Sequence, residues 1–184
     1  MALDSAAVDV AVTGAIAYAP TTATAPIDAT TPLEDLGPEW RNVGYISEDG
    51  VTEARERSSE NIIAWQNADV VRTVVTEASI TVQFTMIESN PNSVELFYGA
   101  PVQADGSVEI VPAESGGRRS FIIDYIDGSK RVRMYLPSAE VTEVGETTLA
   151  SGSAVGYDVT ITGYPGPDGF SAKKWYSALA SAGS

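Results

Sequence analysis

The chain reads as a mainly β protein: an antiparallel β-sandwich or partly rolled barrel with one short peripheral α-helix, a long N-terminal loop and a C-terminal arm. Three observations predict this. Apolar and polar residues alternate at period two in run after run, the pattern of strands with one buried face. Asp-Gly pairs at 49–50 and 127–128 lie between such runs and tolerate the positive φ of tight hairpin turns. Residues 90–99 carry helix punctuation at both ends. With 184 residues the chain is large enough to bury its own core, and 1–184 is expected to be a single domain.

The first predicted strand is Val8–Pro20, with Val8, Val10, Val12, Ile16 and Tyr18 on the core face and Asp9, Ala11, Thr13 and Ala17 opposite. Residues 20–42 then become rich in Thr, Ala and Pro, which predicts an extended loop or arm. Loops of that length inside a domain tend to be functional or disordered. Asp49-Gly50 predicts a hairpin of Val43–Glu48 with Val51–Arg57, whose second strand sets Glu53, Arg55 and Arg57 against Thr52, Ala54 and Glu56. Ile62, Ile63 and Trp65 read as a short apolar plug against the sheet.

Strands are expected at Asp69–Thr76 and at Ser79–Glu88, the second with Ile80, Val82, Phe84 and Met86 inward. Asn90-Pro91 then opens a helix as N-cap and first helical residue, and Gly99 closes it. Val94, Phe97 and Tyr98 form its apolar stripe. Beyond it come strands at Ser107–Val111, Ser120–Ile126 and Lys130–Val144, the last two joined at Asp127-Gly128. Both faces of Ser120–Ile126 are largely apolar, so it should be central or covered on both sides. A final strand, Val155–Gly163, precedes the arm at 164–184, where Phe170, Trp175 and Tyr176 need something to pack on.

Charge and composition exclude several functions. A net charge of −14, with 11 basic residues, argues against a protein that clamps phosphates. The absence of Cys and His removes thiol nucleophiles, Ser-His-Asp triads, imidazole catalysis and Cys/His zinc sites. The acidic residues select no glycosidase-type pair and no EF-hand-like loop is present. No catalytic, cofactor-binding or metal-binding residue is therefore assigned, and the protein is read as not an enzyme. The N-terminus, with Asp4 and no cationic stretch, does not read as a secretory signal, and no segment approaches the roughly 20 apolar residues that span a bilayer. No membrane insertion is expected.

Arg118, Arg119, Lys130, Arg131 and Arg133 cluster around the Asp127-Gly128 hairpin. On so acidic a chain such a patch is a candidate subunit contact, because head-to-tail assembly needs complementary surfaces. The charged edge Glu53, Arg55 and Arg57 and the terminal aromatics Trp175 and Tyr176 are further candidates.

The block Val43–Gly99, VGYISEDGVTEARERSSENIIAWQNADVVRTVVTEASITVQFTMIESNPNSVELFYG, joins a GY-S-E-DGVT turn, a W-Q segment, a Val/Thr-rich strand pair and a short helix ending L-F-Y-G. In that order it resembles the major tail tube protein of long-tailed, siphovirus-type bacteriophages, especially actinobacteriophages. The Val8–Pro20 strand and the tail YDVTITGYPGPDGFSAKKWYS are similar in kind. The resemblance implies a structural virion protein whose hexameric rings stack head-to-tail, with sheet edges joined between subunits. It implies tape measure protein in the lumen during assembly, tail terminator and distal tail proteins as neighbours, passage of double-stranded DNA during ejection, and assembly in the host cytoplasm. The 20–42 loop would reach a neighbouring subunit or ring. An acidic lumen would not hold DNA back, and Glu109, Asp124 and Asp158, opposite the apolar stripes, are the candidate lumen residues.

Two other readings share the composition. One is a carbohydrate-binding or adhesin-like recognition module, marked by Trp40, Trp65 and Trp175 exposed on one flat surface; burial of Trp65 and docking of Trp175 on a neighbour would mark the tube. The other is a single-ring tail terminator or joining protein of similar fold.

Overall fold

The computed structural model describes Leu3 and residues 7–180; Asp4, both ends of the expected 1–184 domain and the last four residues of the 164–184 arm lie outside the described residues. The elements in chain order are β1 (Thr13–Pro20), a 3₁₀ turn (Leu33–Asp35), β2 (Arg41–Asn42), β3 (Ile46–Ile63), β4 (Val70–Met86), α1 (Pro91–Tyr98), β5 (Arg119–Asp127), β6 (Lys130–Val144), β7 (Tyr157–Tyr164) and β8 (Lys173–Tyr176). The strands make one antiparallel sheet in the order β2-β1-β5-β6-β7-β4-β3, and β8 pairs with the stretch of β6 that β7 leaves free. The sheet is rolled but not closed, so of the two expected forms the partly rolled one is found.

Rolling follows from which residues are apolar. Ile16 and Tyr18 of β1, Phe121 and Ile123 of β5, Met134 and Leu136 of β6, Val159 and Ile161 of β7, and Val82, Phe84 and Met86 of β4 all enter one core. Each large side chain so buried contributes about 1.5–3 kcal/mol. Helix α1 covers one end of that core with Leu96, while Val94, Phe97 and Tyr98 pack partly buried beside it. Its punctuation works as the sequence predicts: the Asn90 side chain accepts from the Asn92 and Ser93 amides at 2.9 and 3.0 Å. Gly99 takes φ 70°, and a Cβ there would lie 2.6 Å from the Glu114 carbonyl oxygen. Tyr18 ties the helix to the sheet by donating to the Asn92 carbonyl at 3.1 Å.

A second, smaller core lies on the opposite face of β1, β5 and β6. Ala17, Ala19, Ile122 and Tyr135 meet Ala23 and Trp40 of the 20–42 segment, with Leu33, Leu36, Phe170 and Trp175 around them. The segment expected to reach a neighbour thus folds back over its own sheet. What fastens it is Arg133, fully buried on β6. Its Nε and Nη2 donate to the two Asp124 carboxylate oxygens at 2.8 and 2.6 Å. The same guanidinium donates to the Thr31 and Asp28 carbonyls at 2.8 and 3.2 Å. The Asp28 carboxylate completes the turn by accepting from the Thr31 and Thr30 amides, which hold its pKa below the usual carboxylate range.

Several expected elements differ. Regular pairing of the first strand begins at Thr13, and Val8, Val10 and Val12 are exposed, because the core ends at Ile16. β1 also has two buried faces, since the folded-back segment covers the second. Asp49-Gly50 makes no hairpin: β3 runs straight through it. Gly50, at φ 70°, sits in an irregularity where β3 uses five residues from Ile46 to Val51 while β4 uses two from Met86 to Phe84. Positive φ suits a bulge as well as a turn. The strands expected at Asp69–Thr76 and Ser79–Glu88 are one, β4, and Ser107–Val111 is loop. The Asp127-Gly128 hairpin, β6, β7 and α1 form where predicted.

Removing Arg133 leaves the Asp124 carboxylate buried and unpaired. Arg133→Ala is expected to lower unfolding free energy by about 3–5 kcal/mol in urea titrations. The paired Arg133→Met/Asp124→Leu variant recovers only part of that loss, because the Thr31 and Asp28 carbonyls still lose their donor.

Candidate functional site: a bare sheet face and a projecting ribbon

The outer face of the sheet is divided in two. Over β1, β5 and the first half of β6 it is covered by the 20–42 segment, with Phe170 and Trp175 packed beside it; over the end of β6, β7, β4 and the root of β3 it is bare. On that bare half the register brings Thr85 beside Asp158, Gln83 beside Thr160, Thr81 beside Thr162, and Thr162 beside Glu140. Thr52, Ala54 and Glu56 extend it onto β3. No Lys or Arg stands among these positions. Hydroxyls, one amide and carboxylates make a flat surface with no donor suited to gripping a phosphate.

Asp158 lies near the middle of this surface, partly exposed. Its carboxylate accepts from Gln83 Nε2 at 3.0 Å and from Thr85 Oγ1 at 3.2 Å. Behind it Gly145 packs so closely that a Cβ would lie 2.6 Å from the carboxylate. Of the three acidic residues singled out for a lumen, only Asp158 is on this face. Asp124 is 5% exposed and paired with Arg133, so it presents no charge to a channel, and Glu109 is exposed on the loop after α1.

The second feature is the ribbon. β4 pairs with β7 only from Ile80 to Met86, yet β3 and β4 continue to pair out to Ile63 and Val70. The outer part is a two-stranded hairpin without a third strand, projecting roughly 30 Å at about 3.3 Å per residue. Such a ribbon is marginal alone in water. Its tip carries Ile62, Ile63, Trp65, Val70 and Val71, with Trp65 97% exposed. The plug expected from these residues is therefore a projecting apolar tip. The turn has Asn67 and Ala68 both at positive φ, the pattern of a type I′ turn, and Ala64 donates to the Asp69 carbonyl at 2.7 Å.

The basic patch does not form. Arg119 pairs with Glu95 at 2.9 Å and stacks on Tyr18, and Arg118 lies over the Tyr164 ring, both at one end of β5. Lys130 and Arg131 are at the opposite end, where Lys130 meets Asp9 at 2.7 Å and Arg131 donates to the Thr30 carbonyl at 3.2 Å. Arg133 is internal. Glu53 is held by Lys174. Among the described residues Arg55, Arg57 and Arg72 have no ion-pair, hydrogen-bond or ring partner; Arg57 and Arg72 lie on the ribbon and Arg55 at its root. Sequence reasoning passed over Arg72; the signal that could have found it is its place among exposed valines beside the W-Q turn.

Trp175 and Tyr176 belong to β8 of their own protomer. Trp175 and Trp40 both pack on Tyr135, with ring centroids 6.5 and 6.3 Å away. The flat surface of three tryptophans that would mark a recognition module is absent; so is the burial of Trp65 within the protomer. Among the described residues no helix is long and apolar enough to cross a membrane.

A family model described as "Phage tail tube protein" matches residues 1–182. A search of curated proteins finds no match. Among solved structures, the chain is similar to one from a native gene transfer agent virion, at 7% identity and TM-score 0.38, covering 75% of this chain and 88% of that one. It is similar to a chain of the anti-feeding prophage baseplate at 9% identity and TM-score 0.42, covering 95% and 97%. A crystal structure of an Hcp protein matches at 11% identity and TM-score 0.37, covering 88% and 96%.

Ala68 at positive φ is strained by about 1 kcal/mol or more, which glycine would relieve. Ala68→Gly is expected to slow hydrogen exchange of the Ala64 amide by about fivefold, the ratio that 1 kcal/mol gives; unchanged exchange would mean the turn is not held as described.

Proposed function

The chain belongs to the phage tail tube protein family, a structural component of the virion tail and not an enzyme, and from that premise we propose that it forms hexameric rings stacked head-to-tail into a passive conduit. In this reading the tail is of the siphovirus type, actinobacteriophage-like. The bare face of β6, β7, β4 and β3 lines the channel, with Asp158, Glu140, Glu143 and Glu56 among its acidic groups. Tape measure protein occupies the lumen during assembly and double-stranded DNA passes during ejection. Tail terminator and distal tail proteins meet the ends of the tube.

The observation that carries this reading is the division of the outer sheet face into a covered half and a bare half whose central positions hold no basic residue, Arg118 standing only at its margin over Tyr164. A duplex sliding through a channel is slowed by every Lys or Arg that displaces its counterions. Hydroxyls and scattered carboxylates make no such contacts. The covered half, with its charges paired internally, supplies the rigid wall. Exposed sheet edges support the same conclusion, since an unpaired edge favours association with another chain.

Electron microscopy of concentrated wild-type protein is expected to give six-fold rings and hollow stacks. Rings that never stack would indicate the single-ring terminator or joining role, and persistent monomers would remove the tube reading. Thr81→Lys, Thr160→Lys and Thr162→Lys, half-buried positions with nothing packed over them, are expected to fold, at a cost of about 0.5–1 kcal/mol, Thr162→Lys also losing its hydrogen bond to Thr142. Their tubes should retain short double-stranded DNA inside the channel, with retention falling as salt rises. DNA bound along the outside in micrographs would assign the face to the exterior.

A further inference from the structure

The sheet's two edges approach each other and then part. β2 pairs with Ala17 and Tyr18, and the Val43 amide donates to the Ile16 carbonyl at 3.0 Å. At Gly44, with φ 88°, the chain turns away and β3 begins. Between the lower part of β1 and the root of β3 there is no pairing, and a hollow of about 500 Å³ opens there. Val12, Ile16, Ile46 and Val51 wall it, and Val82 and Met134 form its floor. Glu48 stands on the wall, and the Glu53–Lys174 ion pair stands beside it. The hollow is mainly apolar with a charged rim at Glu48, Glu53 and Lys174, larger than one side chain needs and bounded by strands whose facing edges lack partners.

The same molecule carries an apolar projection with nothing to pack on, the ribbon tip at Trp65. It cannot fill its own hollow, because the root of the ribbon is one of the hollow's walls and the tip is roughly 30 Å away, at about 3.3 Å per residue. Arg72 is paired in register with Ile62 near the tip and has no partner among the described residues, whereas the wall of the hollow offers Glu48. A projection and a recess at different places on one chain define a heterologous contact, which closes into a ring or propagates as a stack.

We propose that in the assembled tube the ribbon tip of one copy, led by Trp65, seats in the seam between β1 and β3 of the next copy. This rests on the tube reading above and names the contact that joins its subunits. Trp65 and the Ile62/Ile63 pair replace water on the exposed wall residues Val12 and Val51, above the buried Val82 and Met134, and Arg72 meets Glu48. The contact supplies the packing that each feature lacks in the isolated protomer.

The chain contains no cysteine, so single cysteines report the contact cleanly. Gln66→Cys protein, which keeps Trp65, is mixed with Ser47→Cys protein and treated with a short bismaleimide under assembling conditions, with rings scored in parallel by electron microscopy. The expected product is a crosslink between the two variants in the assembled fraction and not in dilute monomer. Adding Trp65→Ser to the Gln66→Cys chain should weaken association by about 30-fold, the size of an interface hot spot, with the thermal midpoint unchanged. Rings that form without this crosslink above the level of a Thr160→Cys control would overturn the proposal and leave the tube reading standing. So would rings in which Ser47→Cys links instead to Val10→Cys of another copy. Absence of any assembly by wild-type protein would remove the tube reading and this contact together.

Discussion

The sheet of this protein stops short of closing, and most of its other features follow from that. An antiparallel sheet that rolled into a full barrel would pair every edge. Here β1 is held to β3 only through β2 and Val43, and the two then diverge. An open edge is why β3 can run on past the body without disturbing the core. It is also why an apolar hollow lies beside a strand with unpaired backbone groups. The remaining interior is well satisfied: among the described residues no buried side-chain nitrogen or oxygen lacks a hydrogen-bond partner. The unmet needs of the protomer are therefore concentrated at the seam and the ribbon.

Much of the central fold was legible in the sequence because there one rule decides. Phe121, Ile123, Val132, Met134, Val159 and Ile161 alternate at period two and are buried as the alternation requires. Asp127-Gly128 and the Asn90 to Gly99 helix use local chemistry that tertiary contacts reinforce. The failures have a common cause: period two identifies the two faces of a strand and not what lies over them. Arg133 and Asp124 alternate with apolar neighbours and so read as surface residues, yet a second layer made by residues 20–42 buries both. Ile62, Ile63 and Trp65 show the converse. An apolar run reads as core on the premise that the partner is in the same chain, and here the protomer offers none. Asp49-Gly50 failed for a local reason, since a bulge and a turn ask for the same dihedral.

Charge and topology divide the labour between surfaces. The covered half of the sheet is built on ionic contacts that are internal: Arg133 with Asp124, Arg119 and Arg41 with Glu95, Lys130 with Asp9. The centre of the bare half has no basic residue, Arg118 lying only at its margin over Tyr164. Among the described residues the guanidinium groups left without partners are on the ribbon and at its root, the part best placed to meet another molecule. A chain of net charge −14 repels its own copies at long range. Short-range apolar contact then has to overcome that repulsion, which restricts association to places where shape and charge agree.

The register of β1 carries a consequence for the timing of synthesis. Thr13 pairs with Ile126 and Pro20 with Arg119, so the N-terminal strand has only the two-residue β2 to pair with until β5, its full-length partner, has been made about 100 residues later. At about 5–20 residues per second that interval is on the order of 5–20 s on the ribosome. The β3–β4 hairpin is local in sequence, so during that interval it is the most extensive native pairing open to the sheet's early strands. The apolar tip can thus be in place before the body that carries it. A nascent chain displays its adhesive end while its core is still incomplete, and neighbouring chains on one message meet under that condition.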